Sequence, residues 1–306
     1  MTTVRDRRQP TEATRVKYRK HLGAFVDWLA TYSEHPRWDD PLLLKANAED
    51  VNRYMTSLRD ADLSASTRKN YLASLRSFYR YCESIERIAA DPSRAIRSPR
   101  VRRSPGLTLT GDELRRLLRV GGTARERIQT YLLVFTAARS GELRELRWRD
   151  IDMVGRMIWL RGKNGRHRVI DIHPELMAEL NRWHVHLDHF AMRSPAIAQA
   201  RRNPETNFVL LTRNGKQLRP STLYRQLKRR AFLADLYPLE AKGKEYRSMV
   251  SPHALRRSFA TLLLNEGHPI DAVADVLGHA SLDTTRAHYA FSPNARRRAT
   301  IEAFNV

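Results

Sequence analysis

The sequence predicts a mainly α-helical protein with one small β-hairpin, an α+β fold built as two domains. Three observations predict it. Apolar residues recur at the helical period through most of the 306 residues. Two short β-rich runs, Met157–Leu160 and Arg168–Ile172, flank the turn-like Arg161-Gly-Lys-Asn-Gly-Arg166. Between the first helical block and the rest, Arg94–Arg103 carries five arginines, one proline and no acid, with Pro105-Gly106 after it. The resulting division is a helical domain over 1–95, a basic linker over 96–107 and a second domain over 108–306.

The elements follow in order. From Glu12 to Ser33, Val16, Tyr18, Leu22, Phe25, Val26 and Leu29 keep helical spacing. After Pro36 and Pro41, Asn47 reads as the cap of a second helix over Glu49–Arg59. Ser64–Ser66 caps a third, with Tyr71, Leu72, Leu75, Phe78, Tyr79 and Cys82 on one stripe, and Asp91-Pro92 closes the block. Thr110 and Glu113 form a capping-box pattern opening a helix to about Arg119. Arg127–Ala138 is an apolar helix, and Gly141–Leu146 a short one. Beyond the hairpin, helices resume at Pro174. Ser221–Ala234 is basic and amphipathic, and further helices are expected over Pro252–Glu266, Ile270–Leu277 and Leu282–Tyr289, with a tail from Pro293.

Composition narrows the function. The 55 Lys and Arg against 33 Asp and Glu leave a net charge of +22. Nucleic acid is the partner that rewards such a surplus, because each neutralised phosphate releases counterions. With 42% hydrophobic residues the chain is no disordered basic tail. Apolar stretches such as Tyr131–Ala138 fall short of the ~18 residues a membrane span requires. Met1–Thr11 is charged and lacks an apolar core, so no secretory signal is expected and the compartment reads as cytoplasmic, associated with the nucleoid. The single cysteine, Cys82, leaves no intramolecular disulfide and no zinc site of two or more cysteines. His184 and His186 lie two apart on a helix and face different sides, so Trp183–His189 reads as packing or solvated surface rather than metal ligation.

Four segments carry chemistry. In Thr136-Ala-Ala-Arg139-Ser-Gly-Glu142, Arg139 follows an apolar helix and needs a partner, which Glu142 supplies at i+3. Taken singly, that segment reads more plainly as a structural ion pair. Lys163, at the hairpin tip, is the only lysine between Lys69 and Lys216 in a chain with 46 arginines and 9 lysines. An amine releases a proton at an accessible pKa and a guanidinium does not; a surface turn lysine is the plainer alternative. In Ser251-Pro-His253-Ala-Leu-Arg256, His253 and Arg256 share one face of a helix start. The last segment is Leu277-Gly-His279-Ala-Ser-Leu-Asp-Thr284-Thr285-Arg-Ala-His288-Tyr289.

In this order the segments resemble the signature of the tyrosine recombinase, or phage-type integrase, family, Xer-like and Cre-like members included. That signature is an Arg box, a hairpin Lys, a His-x-x-Arg box, a Leu-Gly-His box and a nucleophilic Tyr. The resemblance spans nearly the whole chain. The N-terminal helices resemble the SAM-like core-binding domain, ending at Asp91-Pro-Ser-Arg-Ala-Ile96, and Leu109-Thr-Gly-Asp-Glu-Leu114 resembles the opening of the catalytic domain. Two departures stand out. The family most often places its tyrosine nine residues after the Leu-Gly-His histidine; here that position is His288, and Tyr289 follows it. The interval from Lys163 to His253 is longer than in compact Xer-like members, with the excess around His184–Asn207.

The resemblance implies phosphoryl transfer with no cofactor and no metal. Tyr289 would attack a DNA phosphate, giving a 3′-phosphotyrosyl link and a free 5′-hydroxyl. Arg139 and Arg256 would clamp the non-bridging oxygens, with Glu142 orienting Arg139. Lys163 would protonate the leaving oxygen, while His253 and His279 assist at the phosphate. Candidate DNA contacts are Arg68, Lys69 and Asn70, the basic strap with Arg100, Arg102 and Arg103, and Tyr224, Arg225, Lys228 and Arg229. The expected assembly is a two-domain clamp on double-stranded DNA, acting as a homo-oligomer, a tetramer on synapsed DNA, with no membrane role. The expected function is site-specific recombination in integration, excision or resolution. A type IB topoisomerase-like nicking-closing enzyme and a catalytically inactive DNA-binding accessory protein are the alternatives.

Overall fold

The computed structural model describes residues 11–32, 42–101, 106–162, 167–239 and 247–278. The chain divides into two compact units, Met1–Ser104 and Pro105–Val306.

The first unit is all helical: α1 (Glu12–Tyr32), α2 (Leu42–Lys45), α3 (Ala48–Asp60) and α4 (Ala65–Ser84). Asn47 caps α3 as its sequence position suggested, its side chain accepting from the Glu49 and Asp50 amides at 2.7 and 3.1 Å. Ser64 caps α4 through the Thr67 amide. The apolar stripes of α1, α3 and α4 meet in a core in which Phe25, Val51, Leu72, Leu75 and Tyr79 are fully buried. The stretch after α4 is no free linker at its start. Arg94 pairs with Glu83 at 2.7 Å, Arg76 donates to the Ile96 carbonyl and to Ser98, and Ile96 packs on the core. Periodicity cannot reveal such a strap, because the contacts that hold it reach 11 to 22 residues back.

The second unit opens with α5 (Gly111–Arg119) and α6 (Ala124–Thr136), each under a Thr–Glu capping box, Thr110 with Glu113 and Thr123 with Glu126. The second box starts α6 three residues before the Arg127 expected from the apolar run alone. Then come α7 (Ser140–Glu145), a 3₁₀ turn (Trp148–Asp150), β1 (Ile151–Asp152), β2 (Met157–Arg161) and β3 (His167–Asp171). These strands form an antiparallel sheet in the order β1-β2-β3, with Leu160 opposite Arg168. The short β1 was not foreseen: two residues carry no period. Next come α8 (Pro174–Arg193), α9 (Pro195–Arg202) and α10 (Pro220–Leu233). After them a two-residue pair, β4 (Pro238–Leu239) with β5 (Arg247–Ser248), leads into α11 (Pro252–Asn265) and α12 (Ile270–Leu277).

The main core buries Ile128, Leu132, Leu143, Ile158, Leu176, Leu180, Leu223 and Leu227, so one face of the sheet and the inner faces of α6, α8 and α10 exclude water together. A smaller cluster of Ala137, Ala260, Leu264, Val273 and Leu277 binds α11 and α12 to the end of α6. That packing brings three helix ends together. The Leu282–Tyr289 helix and the tail from Pro293 lie outside the described residues. No helix among the described residues is long and apolar enough to cross a membrane.

Candidate active site

The site grows from the end of α6. Thr136 closes that helix by returning its hydroxyl to the Leu132 carbonyl at 2.6 Å. Ala137 then takes a left-handed conformation, φ 49°, which costs a non-glycine residue on the order of 1 kcal/mol and is held by complete burial. The reversal makes Arg139 the first residue before α7. Its amide donates to Glu142 Oε2 at 2.9 Å, and its guanidinium Nη1 meets Glu142 Oε1 at 2.6 Å. The Glu142 side chain is 3% exposed and that of Arg139 38%, so one edge of the guanidinium is pinned inside while the rest faces outward.

Two more arginines converge there. Arg256, one turn into α11, is buried and donates Nη1 to the Ala137 carbonyl at 2.8 Å and Nη2 to the Leu277 carbonyl. Arg168, from β3, donates Nη1 to Glu142 Oε2 at 2.9 Å and to the Leu277 carbonyl at 3.2 Å, and Nη2 to the Thr136 carbonyl at 3.3 Å. Burial pulls the Arg168 guanidinium below the ordinary arginine value, and the Glu142 carboxylate beside it works the other way. Two guanidiniums thus share one carboxylate, and the third, Arg256, is seated beside them on backbone carbonyls. Carbonyls at the C-terminal ends of α6 and α12, where the helix dipole is negative, supply the rest of the compensation. Gly278 ends α12 at φ 61°, and a Cβ there would lie 2.9 Å from Arg168 Cδ. Both its backbone and its neighbour therefore require glycine.

The expected site residues distribute as follows. Arg139, Glu142 and Arg256 come together in this cluster. His253 is exposed in the first turn of α11. Lys163, His279 and Tyr289 lie outside the described residues, although the strands flanking Lys163 and the residue before His279 are within them. Arg168 was not singled out from the sequence. Its signal was there: it shares a face of β3 with buried Ile170, and a cation at an inward strand position must find acceptors.

Among the DNA-contact candidates, Arg68 is half-buried on α4, while Lys69 and Asn70 are exposed, Asn70 accepting from Lys17 at 3.1 Å. Arg100 is exposed, and Arg102 and Arg103 lie outside the described residues. On α10, Arg225 is exposed and Lys228 half-buried; Tyr224 packs on the core, and Arg229 turns to Glu126 at 3.0 Å. The α8 histidines pack on aromatic rings, His184 edge-on to Trp148 and His186 stacked on Trp183. Among the described residues no group of three or more His, Cys, Asp or Glu is placed to hold a metal.

Comparison with known proteins identifies the family of the chain. Residues 108–295 match the phage integrase family, and residues 2–84 match the phage integrase N-terminal SAM-like domain. Tyrosine recombinase XerD of Mycobacterium tuberculosis is 32% identical over 273 residues, covering 83% of this chain and 81% of its own length. Among solved structures, the XerH site-specific recombinase bound to palindromic difH substrate superposes with a TM-score of 0.68 at 22% identity, covering 94% of this chain and 79% of that one. A lambda integrase tetramer bound to a Holliday junction gives 0.64 at 17% identity, covering 94% and 75%. At these identities the structures attest the fold.

Proposed function

The chain belongs to the phage integrase family, the tyrosine recombinases, and from that premise we propose that it cuts and rejoins double-stranded DNA at specific sites through a 3′-phosphotyrosyl intermediate. One observation of this chain supports the residue roles: Arg139 and Arg168 share the single carboxylate of Glu142, a group with net positive charge, and Arg256 is seated beside them on the Ala137 and Leu277 carbonyls. Arg139, the most exposed of the three, offers its free edge to a scissile phosphate, with Arg256 as the second clamp. Both stabilise the charge that builds on the non-bridging oxygens in the transition state.

The phenolic oxygen of Tyr289 attacks phosphorus as its proton passes to His253, and the P–O5′ bond breaks. Lys163 delivers its proton to the departing 5′-oxygen. His253 and His279 assist at the phosphate and the nucleophile. The link conserves the phosphodiester energy, so attack by a 5′-hydroxyl reverses it without ATP. Lys69, Asn70, Arg100 and Arg225 are accessible for backbone contacts, with Arg68, Lys228, Tyr224, Arg229, Arg102 and Arg103 as further candidates. The working form is a homo-oligomer on DNA, tetrameric at synapsis, as in the Holliday-junction complex of the lambda integrase neighbour. Its place is the cytoplasm, on the nucleoid.

The test uses a duplex recovered by binding selection from a random-sequence pool, resynthesised with a nick beside the cleavage position. Covalent protein–DNA product together with strand exchange is the expected result. Covalent product without exchange would mean nicking-closing activity, and neither would mean a binding protein.

A further inference from the structure

We propose that Arg168 is a positioning residue of this active site: through Glu142 it sets the guanidinium of Arg139 against the scissile phosphate. The inference rests on the recombinase reading above. Arg168 is the only described side chain that joins Glu142 to both helix ends of the site. Its side chain is 8% exposed, and its two terminal nitrogens reach Glu142, Thr136 and Leu277, each on a different element. Without it, Glu142 keeps only the Arg139 contacts, and a carboxylate 3% exposed beside one half-exposed partner has a reason to rotate toward water. Arg139 would follow, because two of its donors are fixed by that same carboxylate.

The anchor also ties the catalytic pieces to one another. Arg168 lies five residues beyond Lys163 and opposite Leu160 in the hairpin ladder, so pinning it pins the strand leaving the lysine turn. It shares the Leu277 carbonyl with Arg256, at the residue before Gly278-His279. Its two terminal nitrogens are spent on these acceptors, its Nε is buried, and it has no edge facing outward comparable to that of Arg139. Unlike Arg256, it belongs to none of the signature boxes that imply a phosphate contact, and its bond to Glu142 gives it a route to Arg139; its role is to position.

A substrate change separates this from a general structural role. Replacing a non-bridging oxygen of the scissile phosphate by methyl removes the negative charge that Arg139 neutralises. Defects that act through Arg139 must shrink on that substrate; a loosened fold lowers cleavage of both substrates alike. On ordinary DNA, Arg168→Met should form covalent product about 10- to 100-fold more slowly, the cost of a misplaced transition-state contact. Its DNA affinity should stay near that of the parent. On the methylphosphonate duplex the deficit should fall to within about threefold, as it should for Arg139→Ala. Arg168→Lys, which keeps a buried cation but cannot reach three acceptors at once, serves the same comparison if the methionine variant does not fold. Relief for Arg139→Ala without relief for either Arg168 variant overturns the proposal and leaves the recombinase reading standing. An unaltered chain that forms no covalent product overturns that reading, and the proposal with it.

Discussion

Glu142→Gln should destabilise the second unit far more than its modest chemistry suggests. The carboxylate accepts from the Arg139 amide at 2.9 Å, from Arg139 Nη1 at 2.6 Å and from Arg168 Nη1 at 2.9 Å. Glutamine keeps one acceptor oxygen, turns an NH₂ toward a donor and removes the charge. Arg139 is 38% exposed, so water recovers most of its share, and a pair of that kind is worth under about 1 kcal/mol. Arg168, 8% exposed, has no such refuge. Breaking a buried pair from one side costs about 3–5 kcal/mol. We therefore expect a loss of about 3–4 kcal/mol, read by urea unfolding with linear extrapolation. For a unit of this size that is a fall of about 6–16 °C in Tm. The double variant Arg168→Met/Glu142→Gln should be less destabilised than the sum of the single changes, by more than about 1 kcal/mol. A loss below about 1 kcal/mol, or strict additivity, would show that water reaches the carboxylate and would refute the reasoning.

Three further outcomes follow from the same picture. Lys163→Ala should bind DNA and lose about 10²- to 10⁴-fold in cleavage, recovering on a substrate whose 5′-bridging oxygen is sulfur, since a thiolate leaves unprotonated; a variant that is not rescued is not missing a general acid. Tyr289→Phe should bind DNA normally and form no covalent product, whereas His288→Ala should form some, and peptide mapping of trapped complex would expose a misread nucleophile if it found DNA on any residue but Tyr289. Burial, aided by Lys17 and Lys20, holds the His21 imidazole below its ordinary value of 6.5, so the unfolded chain binds more protons between the two values. Stability of the first unit is then full above pH 6.5 and declines as pH falls toward the folded value; unfolding curves at pH 7.5 and 5.5 should show the loss in the parent and a flatter response in His21→Gln.

What the sequence disclosed and what it withheld divide by range. Caps at Asn47, Ser64 and Thr110 were readable because each bonds an amide two or three residues ahead. The pairing of Arg139 with Glu142 was readable for the same reason, spanning one helical turn. The Thr123–Glu126 box was equally local and was passed over because the apolar run begins later. Arg168 is different in kind: its acceptors lie 26, 32 and 109 residues away, and no window along the chain contains them. The strap holding Ile96 and Ser98 to Arg76 was hidden likewise, behind an arginine-rich composition that reads as solvated linker.

The chain solves the burial of arginine in one recurring way, and the exception marks the chemistry. Arg230, with no exposure at all, donates to the Leu117 and Leu118 carbonyls at the end of α5 at 2.9 and 3.2 Å, and to Gly121 just beyond. Arg168 and Arg256 sit on carbonyls at the ends of α6 and α12. Each cation occupies the negative pole of a helix, where orphan carbonyls need donors and the dipole favours positive charge. Such seating requires no second carboxylate, so positive charge accumulates without acids that would repel a phosphate. Arg139 alone among these four precedes a helix, at the pole where the dipole opposes it, and only Glu142 holds it there. A guanidinium on the wrong pole, held by a single carboxylate and 38% exposed, is the member of the set least compensated by the protein. On the reading proposed above, an incoming phosphate would complete its coordination.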